Sequence, residues 1–480
     1  MTLPGIAWRP ITIVSLVTLV VNLLAATRYG YHRDELYFRQ LGEHPAWGYV
    51  DQGPATPLIG RVATELFGDS FFALRLPAVL CAALIPLLVA LIVRELGGER
   101  TGQWLGGAAV ALGGFPVGIG HLLLTASFDV PLSLLALLFV TRALKRVDGR
   151  WWLAAGAVMG LALYNKQLII LLGLGVVAAL LIVGPRDVFR DWRLWAGLGL
   201  AVVIGSPNLI YQLTHDFPQL TMAGALADND GVENRLLFVP MQLVLIGVTL
   251  VPIWVVGARG FFREEAWRRV RALPIAYAVA CVIVLATGGR PDYVAPLLIL
   301  VLCAGFARLH TWRWPAIAVA VNVVGSALLV LPVFPVGMLG DSPVPVVNQL
   351  MVDQVGWEAY VAQVAAVHSA LPAADRADAV VVTANYGESG AVDRYAPALP
   401  VYSGQNELYF RARPPESARV LIAVGYSPRR LGPHFASCEI AARLDNGVGV
   451  DNEEQTLPIT VCRDPREPWS ALWPFFQHYD

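Results

Sequence analysis

The chain has 480 residues, of which 56% are hydrophobic and only 15% are charged, and its mean hydropathy is +0.57. A soluble globular protein usually carries about 25% charged residues, so most of this chain is expected to be solvated by lipid. The formal net charge of -1 excludes a global basic surface that would attract nucleic acid.

Apolar runs recur along the first part of the chain, and a bilayer core about 30 Å thick needs roughly 20 apolar residues per helix. Short charged connectors separate the runs, which predicts roughly eleven transmembrane helices. The two runs on either side of Asn165, Lys166 and Gln167 have a competing interpretation as one long run with a polar break. The predicted spans are 10–27, 71–93, 103–123, 128–144, 151–165, 167–184, 193–213, 236–257, 272–288, 292–307 and 315–334.

Arginine and lysine collect in one set of alternate connectors, which includes Lys145–Arg150 and Arg259–Arg271. Because positive loops stay on the cytoplasmic side, this set is predicted to be cytoplasmic and the opposite set extracytoplasmic. The first outer loop, residues 28–70, also contains arginines and departs locally from the trend. We therefore expect a cytoplasmic N-terminus, and an odd number of spans places the C-terminal region outside.

The residues from about 340 onward show the pattern of a soluble α/β domain. Ala379–Thr383 is predicted to be a buried strand that continues through Asn385–Glu388 into a helix. Arg419–Val424 and Leu457–Cys462 are further predicted strands. The turn at Asn385–Glu388 is not a phosphate loop, because it lacks the Gly-x-x-x-x-Gly-Lys frame.

Two domains are therefore predicted, a transmembrane domain over residues 1–339 and a soluble extracytoplasmic α/β domain over residues 340–480. The five cysteines lack the spacing of a zinc finger or a disulfide scaffold. Cys438 and Cys462 can form a disulfide if their region is extracytoplasmic, although sequence alone does not determine the distance between them.

Acidic residues lie just beyond the first predicted span, at Asp34 with Glu35 and again at Asp51. The aromatic and apolar neighbours of Asp34 and Glu35 indicate a position at the membrane surface. Partial desolvation there is expected to raise a carboxylate's proton affinity and suit it to general-base chemistry. The alternative is a solvated loop in which Arg33 neutralises the pair.

Asp129 lies at the start of the fourth predicted span, two residues before Pro131. A carboxylate at this depth is costly unless it caps the helix or meets a cation or a metal ion. Both a helix N-cap and a functional site are therefore open, and the two roles can coexist.

Lys166 and Arg290 lie at helix ends on the predicted outer side, against the trend of the other connectors. Both cations suit a phosphate group at the membrane surface. The alternatives are snorkelling for Lys166 and neutralisation by Asp292 for Arg290. Residues 206–208, Ser-Pro-Asn, are predicted to interrupt the seventh span as a structural kink.

Several segments resemble the bacterial membrane glycosyltransferases of the GT-C superfamily, in particular families 39 and 83. These families include relatives of the protein O-mannosyltransferases and of the lipid A aminoarabinose transferase. The resemblance is carried by Tyr31–Phe38, Trp47–Pro54 and Leu74–Pro77, with further similarity at Ser206–Pro218 and Arg290–Tyr293. It implies a polytopic α-helical enzyme in a bacterial cell membrane.

The resemblance also implies roles for individual residues. Asp34 matches the family's catalytic acid, with Glu35 beside it, and Asp129 matches a second acid. Lys166 matches a basic residue near the donor phosphate.

Other substrate-binding candidates follow from the same resemblance. Asp51 and Gln52 occupy the positions of an acid and a basic residue in several relatives. Gln52 lacks the charge, which shifts the phosphate contact to Lys166 or Arg290. Tyr293 lies in the same family segment as Arg290.

The implied reaction moves a sugar from a polyprenyl-phosphate donor to an extracytoplasmic acceptor, which is a cell-envelope glycan, a lipid or a protein. We expect an inverting displacement with Asp34 as base. The departing phosphate is met by Lys166 and Arg290 or by a divalent metal ion between Asp34 and Asp129, since some relatives use a metal and others do not. The rival interpretations are a transporter or lipid flippase and a silent binding scaffold.

Overall fold

The protein is described from a computed structural model that covers residues 3–309 and 311–480, except for the side chains of residues 346 and 347. The chain forms two compact units. The first, here called the membrane unit, comprises Met1–Thr27 and Ala46–Leu331. The second, the α/β unit, comprises Arg28–Pro45 and Pro332–Asp480, so residues 28–45 pack with the C-terminal region rather than with the helices around them in sequence.

The membrane unit is helical because apolar segments must satisfy their backbone hydrogen bonds internally when lipid surrounds them. Each predicted span coincides with helical structure. The α-helices are Trp8–Ala25, Ala55–Phe67, Phe71–Glu95, Arg100–Ala111, Gly114–Ile119, Thr125–Arg146, Arg150–Ala162, Ile169–Val183, Trp192–Thr214, Pro218–Asn229, Gly231–Val244, Val251–Arg263, Ala272–Thr287, Ala295–Ala307 and Arg313–Val330. The 3-10 helices are Arg186–Arg190, Val248–Leu250, Glu265–Val270 and Pro291–Val294.

The protein is a multi-pass membrane protein. Among the residues that the structure describes, 6 helices are long and apolar enough to cross a membrane, and a pair bent by 65°, Gly231–Val244 with Val248–Arg263, brings the number to 7. Ile169–Val183 and Pro291–Ala307 are apolar but shorter. The number of roughly eleven spans stays a prediction. The long helices are Trp8–Ala25, Phe71–Glu95, Thr125–Arg146, Trp192–Thr214, Glu265–Thr287 and Arg313–Val330.

Two of the predicted spans, 103–123 and 236–257, are each broken into two helices, and the two breaks contact each other. The Phe115 backbone N–H donates to the Leu245 carbonyl at 2.8 Å, and the Gly114 N–H donates to the Ser326 hydroxyl at 2.8 Å. Gly114 has φ 55°, and a Cβ there would lie 2.1 Å from the Leu245 oxygen. The broken helices therefore satisfy each other's backbone groups, and the approach requires glycine.

The predicted interruption of the seventh span is wrong, because Trp192–Thr214 is one helix with Pro207 inside it. Pro207 has no N–H to give to the Val203 carbonyl four residues earlier. The Ser206 hydroxyl donates to that carbonyl at 2.8 Å instead. The side chain before the proline thus replaces the missing bond, and the helix continues.

Helical structure also occupies parts of the connectors that the sequence predicted as loops. Arg33–Glu43 and Ala55–Phe67 lie in the first outer loop, and Pro218–Asn229 lies in the loop after the seventh span. Local capping explains the first of these, because its first residues form a complete capping box.

The α/β unit contains one five-stranded sheet of order β2-β1-β3-β5-β4. β1 pairs in parallel with β2 and β3, whereas β5 pairs antiparallel with β3 and β4. The strands are β1 Ala379–Thr383, β2 Val401–Ser403, β3 Val420–Val424, β4 Phe435–Arg443 and β5 Pro458–Pro465. The α-helices are Arg33–Glu43, Val344–Val347, Gln349–Val352, Trp357–Ala370, Ala373–Ala377, Tyr386–Tyr395, Asn406–Arg411, Pro428–Leu431 and Trp469–Leu472, with 3-10 helices at Val336–Met338 and Trp473–Phe476.

The three predicted strands are confirmed as β1, β3 and β5. Every residue of β1 and β3 is buried, which is why both read as continuous apolar runs. Cys438 and Cys462 are direct partners across β4 and β5 and form a disulfide. The sheet therefore supplies the proximity that the sequence alone left open.

Candidate active site

The Arg33–Glu43 helix of the α/β unit begins at His32 with a capping box. His32 Nδ1 accepts a hydrogen bond from the Asp34 backbone N–H at 3.1 Å, and the Glu35 carboxylate accepts one from the His32 N–H at 2.9 Å. Glu35 is completely buried, whereas the Asp34 side chain is 33% exposed. The cap therefore uses the Glu35 carboxylate for structure and leaves Asp34 accessible.

The Asp34 carboxylate is held by a tyrosine that sequence reasoning did not identify. The Tyr386 hydroxyl donates to Asp34 Oδ1 at 2.8 Å, and Asp34 Oδ2 lies 3.9 Å from His32 Nδ1. Tyr386 is the first residue of the Tyr386–Tyr395 helix, which follows β1. The signal that was available is the Asn385–Glu388 capping box directly after a predicted strand.

Arg33 of the same unit lies among acids, of which Asp353 and Glu454 are buried and Glu453 is exposed. Arg33 forms a salt bridge with Glu453, and His32 Nε2 lies 3.7 Å from Asp353 Oδ2. Burial raises the pKa of Asp353 to about 7, against the opposing charge of Arg33. Burial, with repulsion from Glu454 as the next cause, raises the pKa of Glu388 to about 8. Both carboxyl groups therefore hold protons well above the pH at which exposed acids lose them.

In the membrane unit, the polar break between Arg150–Ala162 and Ile169–Val183 is organised by Asn165. Asn165 Oδ1 accepts from the Thr56 hydroxyl at 2.7 Å, and Nδ2 donates to the Thr125 carbonyl at 2.8 Å. The Asn165 carbonyl also accepts from the Gly53 N–H at 3.3 Å. Asn165, the residue before Lys166, thus connects the segment after Gln52 to the start of the helix that carries Asp129.

Lys166 and Tyr293 are brought together. Lys166 Nζ lies 4.8 Å from the centroid of the Tyr293 ring, a cation–π distance. Arg290 lies in the same connector as Tyr293, but its side chain is 61% exposed and its Nε lies 3.2 Å from Asp292 Oδ1. The neutralisation of Arg290 by Asp292 that the sequence allowed is therefore present.

Of the two roles left open for Asp129, the helix N-cap is wrong. The helix begins at Thr125, and its N-cap residue is Leu124, so Asp129 lies inside the second turn. Asp129 is 4% exposed, and its Oδ1 has no hydrogen-bond partner in the described part of the chain. The carboxylate interacts electrostatically with the charges of Lys166 and Asp292. A buried carboxylate that caps nothing is costly, which favours the functional interpretation.

Asp129 also lines a small cavity of about 10 Å³, room for about one water molecule. Ser133 and Tyr293 contribute the other polar groups of its wall. The remaining lining residues are Leu168, Leu171, Leu172, Pro296 and Leu297. The acid is thus enclosed mostly by apolar side chains, with the tyrosine that contacts Lys166 beside it.

Asp51 and Gln52 lie in a turn that the Tyr49 N–H closes on the Gln52 carbonyl at 2.9 Å. Gln52 is 4% exposed, and its Nε2 has no hydrogen-bond partner among residues 3–309 and 311–480. Asp51 is partly exposed. A Cβ on the following Gly53 would lie 2.2 Å from the Tyr164 carbonyl oxygen, so the turn packs tightly on the segment before Lys166.

Comparison with known proteins adds a sequence match and a fold match. A family model described as "Dolichyl-phosphate-mannose-protein mannosyltransferase" matches residues 51–211. The chain is similar to ArnT from Cupriavidus metallidurans in the apo state, with 17% sequence identity, a TM-score of 0.62, and coverage of 94% of this chain and 97% of that chain. The same protein bound to undecaprenyl phosphate matches at 17% identity over the same shares, with a TM-score of 0.61. The chain thus shares the fold of ArnT, and its residues 51–211 resemble a mannosyltransferase family.

Other comparisons add little to this assignment. The Pmt1-Pmt2 protein O-mannosyltransferase complex of S. cerevisiae, bound to the sugar donor, matches at 16% identity with a TM-score of 0.35, over 44% of this chain and 34% of that chain. A likeness at that score carries no argument. No curated protein matches the chain significantly.

The candidate residues fall into the two compact units of the chain. Asp34 and Glu35 belong to the α/β unit, whereas Asp51, Gln52, Asp129, Lys166, Arg290 and Tyr293 belong to the membrane unit. The described residues contain no group of three or more His, Cys, Asp or Glu side chains that could hold a metal ion. A divalent metal ion between Asp34 and Asp129 stays an untested prediction.

Proposed function

We propose that this protein is a glycosyltransferase that moves a sugar from a polyprenyl-phosphate-linked donor to an acceptor on the extracytoplasmic side of a bacterial cell membrane. The observation that carries the proposal is the group formed by Asp129, Lys166 and Tyr293 at the polar break organised by Asn165. The family matched by residues 51–211 and the undecaprenyl-phosphate complex of ArnT support a donor of this class.

Lys166 is the proposed contact for the donor phosphate. Its ammonium group lies over the Tyr293 ring and forms no salt bridge with a described carboxylate. A lysine held at a helix end without a carboxylate partner is available to an anion such as phosphate. Gln52 has a buried amide nitrogen that lacks a partner among the described residues. It is a second candidate to donate a hydrogen bond to the phosphate, because it lies next to the segment that contains Lys166.

Asp34 is the proposed general base, and its accessibility distinguishes it from Glu35. In the proposed step, Asp34 takes the proton of the acceptor hydroxyl while the hydroxyl oxygen forms a bond to the anomeric carbon. The bond between that carbon and the phosphate oxygen breaks, and the polyprenyl phosphate leaves with the electron pair. An inverting displacement of this kind requires the base and the leaving group on opposite faces of the sugar.

The donor class is tested by mass spectrometry of envelope glycolipids from cells with and without the protein. A polyprenyl-phosphate sugar is expected to accumulate when the protein is absent, because the reaction that consumes it is lost. An unchanged glycolipid profile, together with purified full-length protein that transfers no sugar from any polyprenyl-phosphate donor, would refute the proposal.

The base assignment is tested with purified D34N. Removing the base is expected to lower transfer by at least about 100-fold. Asp451→Asn is the matched control, because Asp451 is an exposed acid of the same unit. Transfer by D34N at the rate of the parent chain would refute the role of Asp34 and leave the donor class standing.

The donor contact is tested with Lys166→Ala and with Lys145→Ala, which removes the only other lysine of the chain. Loss of the Lys166 ammonium is expected to raise the KM for the donor by about 10-fold or more, because a charge-assisted contact to phosphate is lost. Lys166→Arg is expected to restore part of the donor affinity. Equal donor dependence of K166A and K145A would exclude the contact.

A further inference from the structure

The Asn385–Glu388 turn follows β1 and lies against the Arg33–Glu43 helix within the α/β unit. Its Tyr386 hydroxyl donates to Asp34 Oδ1 at 2.8 Å across 352 positions of sequence. No other described group donates a hydrogen bond to this carboxylate. The Asn385–Glu388 turn, which is not a phosphate loop, therefore contacts Asp34, the acid proposed as the general base.

The Tyr386 ring is held by an aromatic and a cationic neighbour. It stacks on Tyr37 with ring centroids 4.5 Å apart and an interplanar angle of 25°, and Arg33 Cζ lies 5.1 Å from its centroid. Its backbone N–H donates to Gln405 Oε1 at 2.6 Å. The hydroxyl therefore has little freedom to move away from Asp34.

The helices that carry the two residues, Arg33–Glu43 and Tyr386–Tyr395, also pack closely against each other. Asn385 caps the Tyr386–Tyr395 helix by accepting from the Glu388 N–H at 2.7 Å. A Cβ on Gly390 would lie 2.7 Å from the carbonyl carbon and oxygen of Leu36, so the two helices approach at a distance that only glycine allows. The hydrogen bond is thus part of a rigid contact between residues 33–43 and the C-terminal region.

We infer that Tyr386 is a positioning residue for Asp34, and hence that the C-terminal region is part of the catalytic apparatus. This inference rests on the proposed function. A donor on Oδ1 sets the rotation of the carboxylate and leaves Oδ2 to receive the proton of the acceptor hydroxyl. Because Nδ1 of His32 accepts the Asp34 backbone N–H, the proton of the neutral ring lies on Nε2 and does not compete for Oδ2.

The test uses the full-length chain with Tyr386→Phe, which removes the hydroxyl and keeps the stacked ring. We expect kcat to fall by about 10- to 100-fold, since a hydrogen bond to a charged group is lost, while the donor KM and the thermal midpoint stay unchanged. Tyr409→Phe is the control, because Tyr409 also stacks on an aromatic ring of this unit, that of Trp473 at 5.7 Å. Y409F is expected to keep the kcat of the parent chain.

A second measurement combines Y386F with D34E. Glutamate keeps a carboxylate but moves it by one methylene relative to the fixed hydroxyl, so adding Y386F to D34E is expected to change kcat by less than about twofold. Additive effects of the two substitutions would overturn the inference. A Y386F chain that matches the parent, or that loses its fold, would also overturn it.

The proposed function fails separately. If the parent chain transfers sugar and D34N does not, a normal Y386F refutes only the positioning role. If the parent chain transfers no sugar from any polyprenyl-phosphate donor, the proposed function itself is refuted.

Discussion

The two acids at the centre of the proposal, Asp34 and Asp129, lie in opposite environments. Asp34 is 33% exposed and accepts a hydrogen bond from Tyr386, whereas Asp129 is 4% exposed and its Oδ1 has no partner among the described residues. An accessible, oriented carboxylate suits proton transfer with an incoming hydroxyl. A buried carboxylate with an oxygen that lacks a partner among the described residues lowers stability, which is typical of a functional group.

An asparagine also stabilises the backbone close to Asp129 in the membrane unit, and another stabilises the backbone of Tyr386, the residue that contacts Asp34. Asn165 ties the Gln52 segment and the start of the Asp129 helix to the residue before Lys166. Asn385 caps the helix that begins with Tyr386. The comparison predicts that damage to the membrane unit affects donor binding, while damage to the α/β unit affects the chemical step.

The largest effect is expected for Asp129→Asn. Activity should fall by about 100-fold or more, while the thermal midpoint stays the same or rises, because a buried charge without a bonded partner is removed. Detergent-purified protein assayed for transfer and for thermal unfolding gives both values. Asp148→Asn, after the end of the same helix, is the control. Normal activity of D129N would show that Asp129 has no role in transfer, and the contrast between the two acids would then have no functional meaning.

The next effect concerns the α/β unit alone. Replacing both cysteines of the Cys438–Cys462 disulfide by serine removes a cross-link across a sequence separation of 24. The unit is expected to lose about 3 kcal/mol of unfolding free energy, because the unfolded chain regains the freedom of that loop. Thermal unfolding followed by limited proteolysis measures the loss. Cys81→Ser, a free cysteine of the membrane unit, should leave the midpoint unchanged.

The paired asparagines separate the two units directly. Asn165→Ala is expected to destabilise the chain by about 2 kcal/mol and to raise the donor KM, because the Thr56 hydroxyl and the Thr125 carbonyl lose their partner. Asn385→Ala is expected to cost about 1 kcal/mol, the value of an N-cap, and to lower kcat through Tyr386. Steady-state kinetics with varied donor distinguish the two. Identical kinetic patterns would show that the division is not functional.

The smallest effect is a pH dependence confined to the α/β unit. The pKa of Glu388 is raised from 4.5 to about 8 by burial, so between these values the folded chain keeps a proton that the unfolded chain releases. Stability is therefore full at low pH and falls as pH rises through this window, by about 1.4 kcal/mol per pH unit for one proton. Glu388→Gln should flatten the slope of the thermal midpoint between pH 5 and 8. An unchanged slope would show that Glu388 is not the group that titrates.

Local pattern was sufficient for much of the fold. The apolar runs located the helices, and the runs at β1, β3 and β5 located the centre of the sheet. It could not decide between an N-cap and a functional site at Asp129, and the helix begins four residues earlier, at Thr125. It failed at Pro207, where a serine hydroxyl bonds the carbonyl that proline leaves free. In both cases the residues were visible in the sequence, but the start of the helix and the hydrogen bond of the serine are set by the folded backbone.

The resemblance to GT-C glycosyltransferases, carried by the first loop, agrees with the family model that matches residues 51–211 and with the fold shared with ArnT. The candidate residues stay predictions, but their environments are now defined. Glu35 reads like its neighbour Asp34 in sequence, yet the capping box buries one and exposes the other. The capping box around Tyr386 indicated the start of a helix, but not its contact with Asp34, because that residue lies more than 300 positions away.

Sequence alone determined that this is a membrane protein, because the transfer of an apolar segment into lipid depends on its composition, its length and the spacing of charges. It also determined the helical segments and the identity of the acids and cations near their ends. Tertiary structure alone decided that residues 28–45 pack with the C-terminal region. It also decided that a tyrosine orients one acid, while the other is buried with an oxygen that has no partner in the part of the chain that the structure describes. Contacts between residues distant in sequence set those outcomes, and no local pattern contains them.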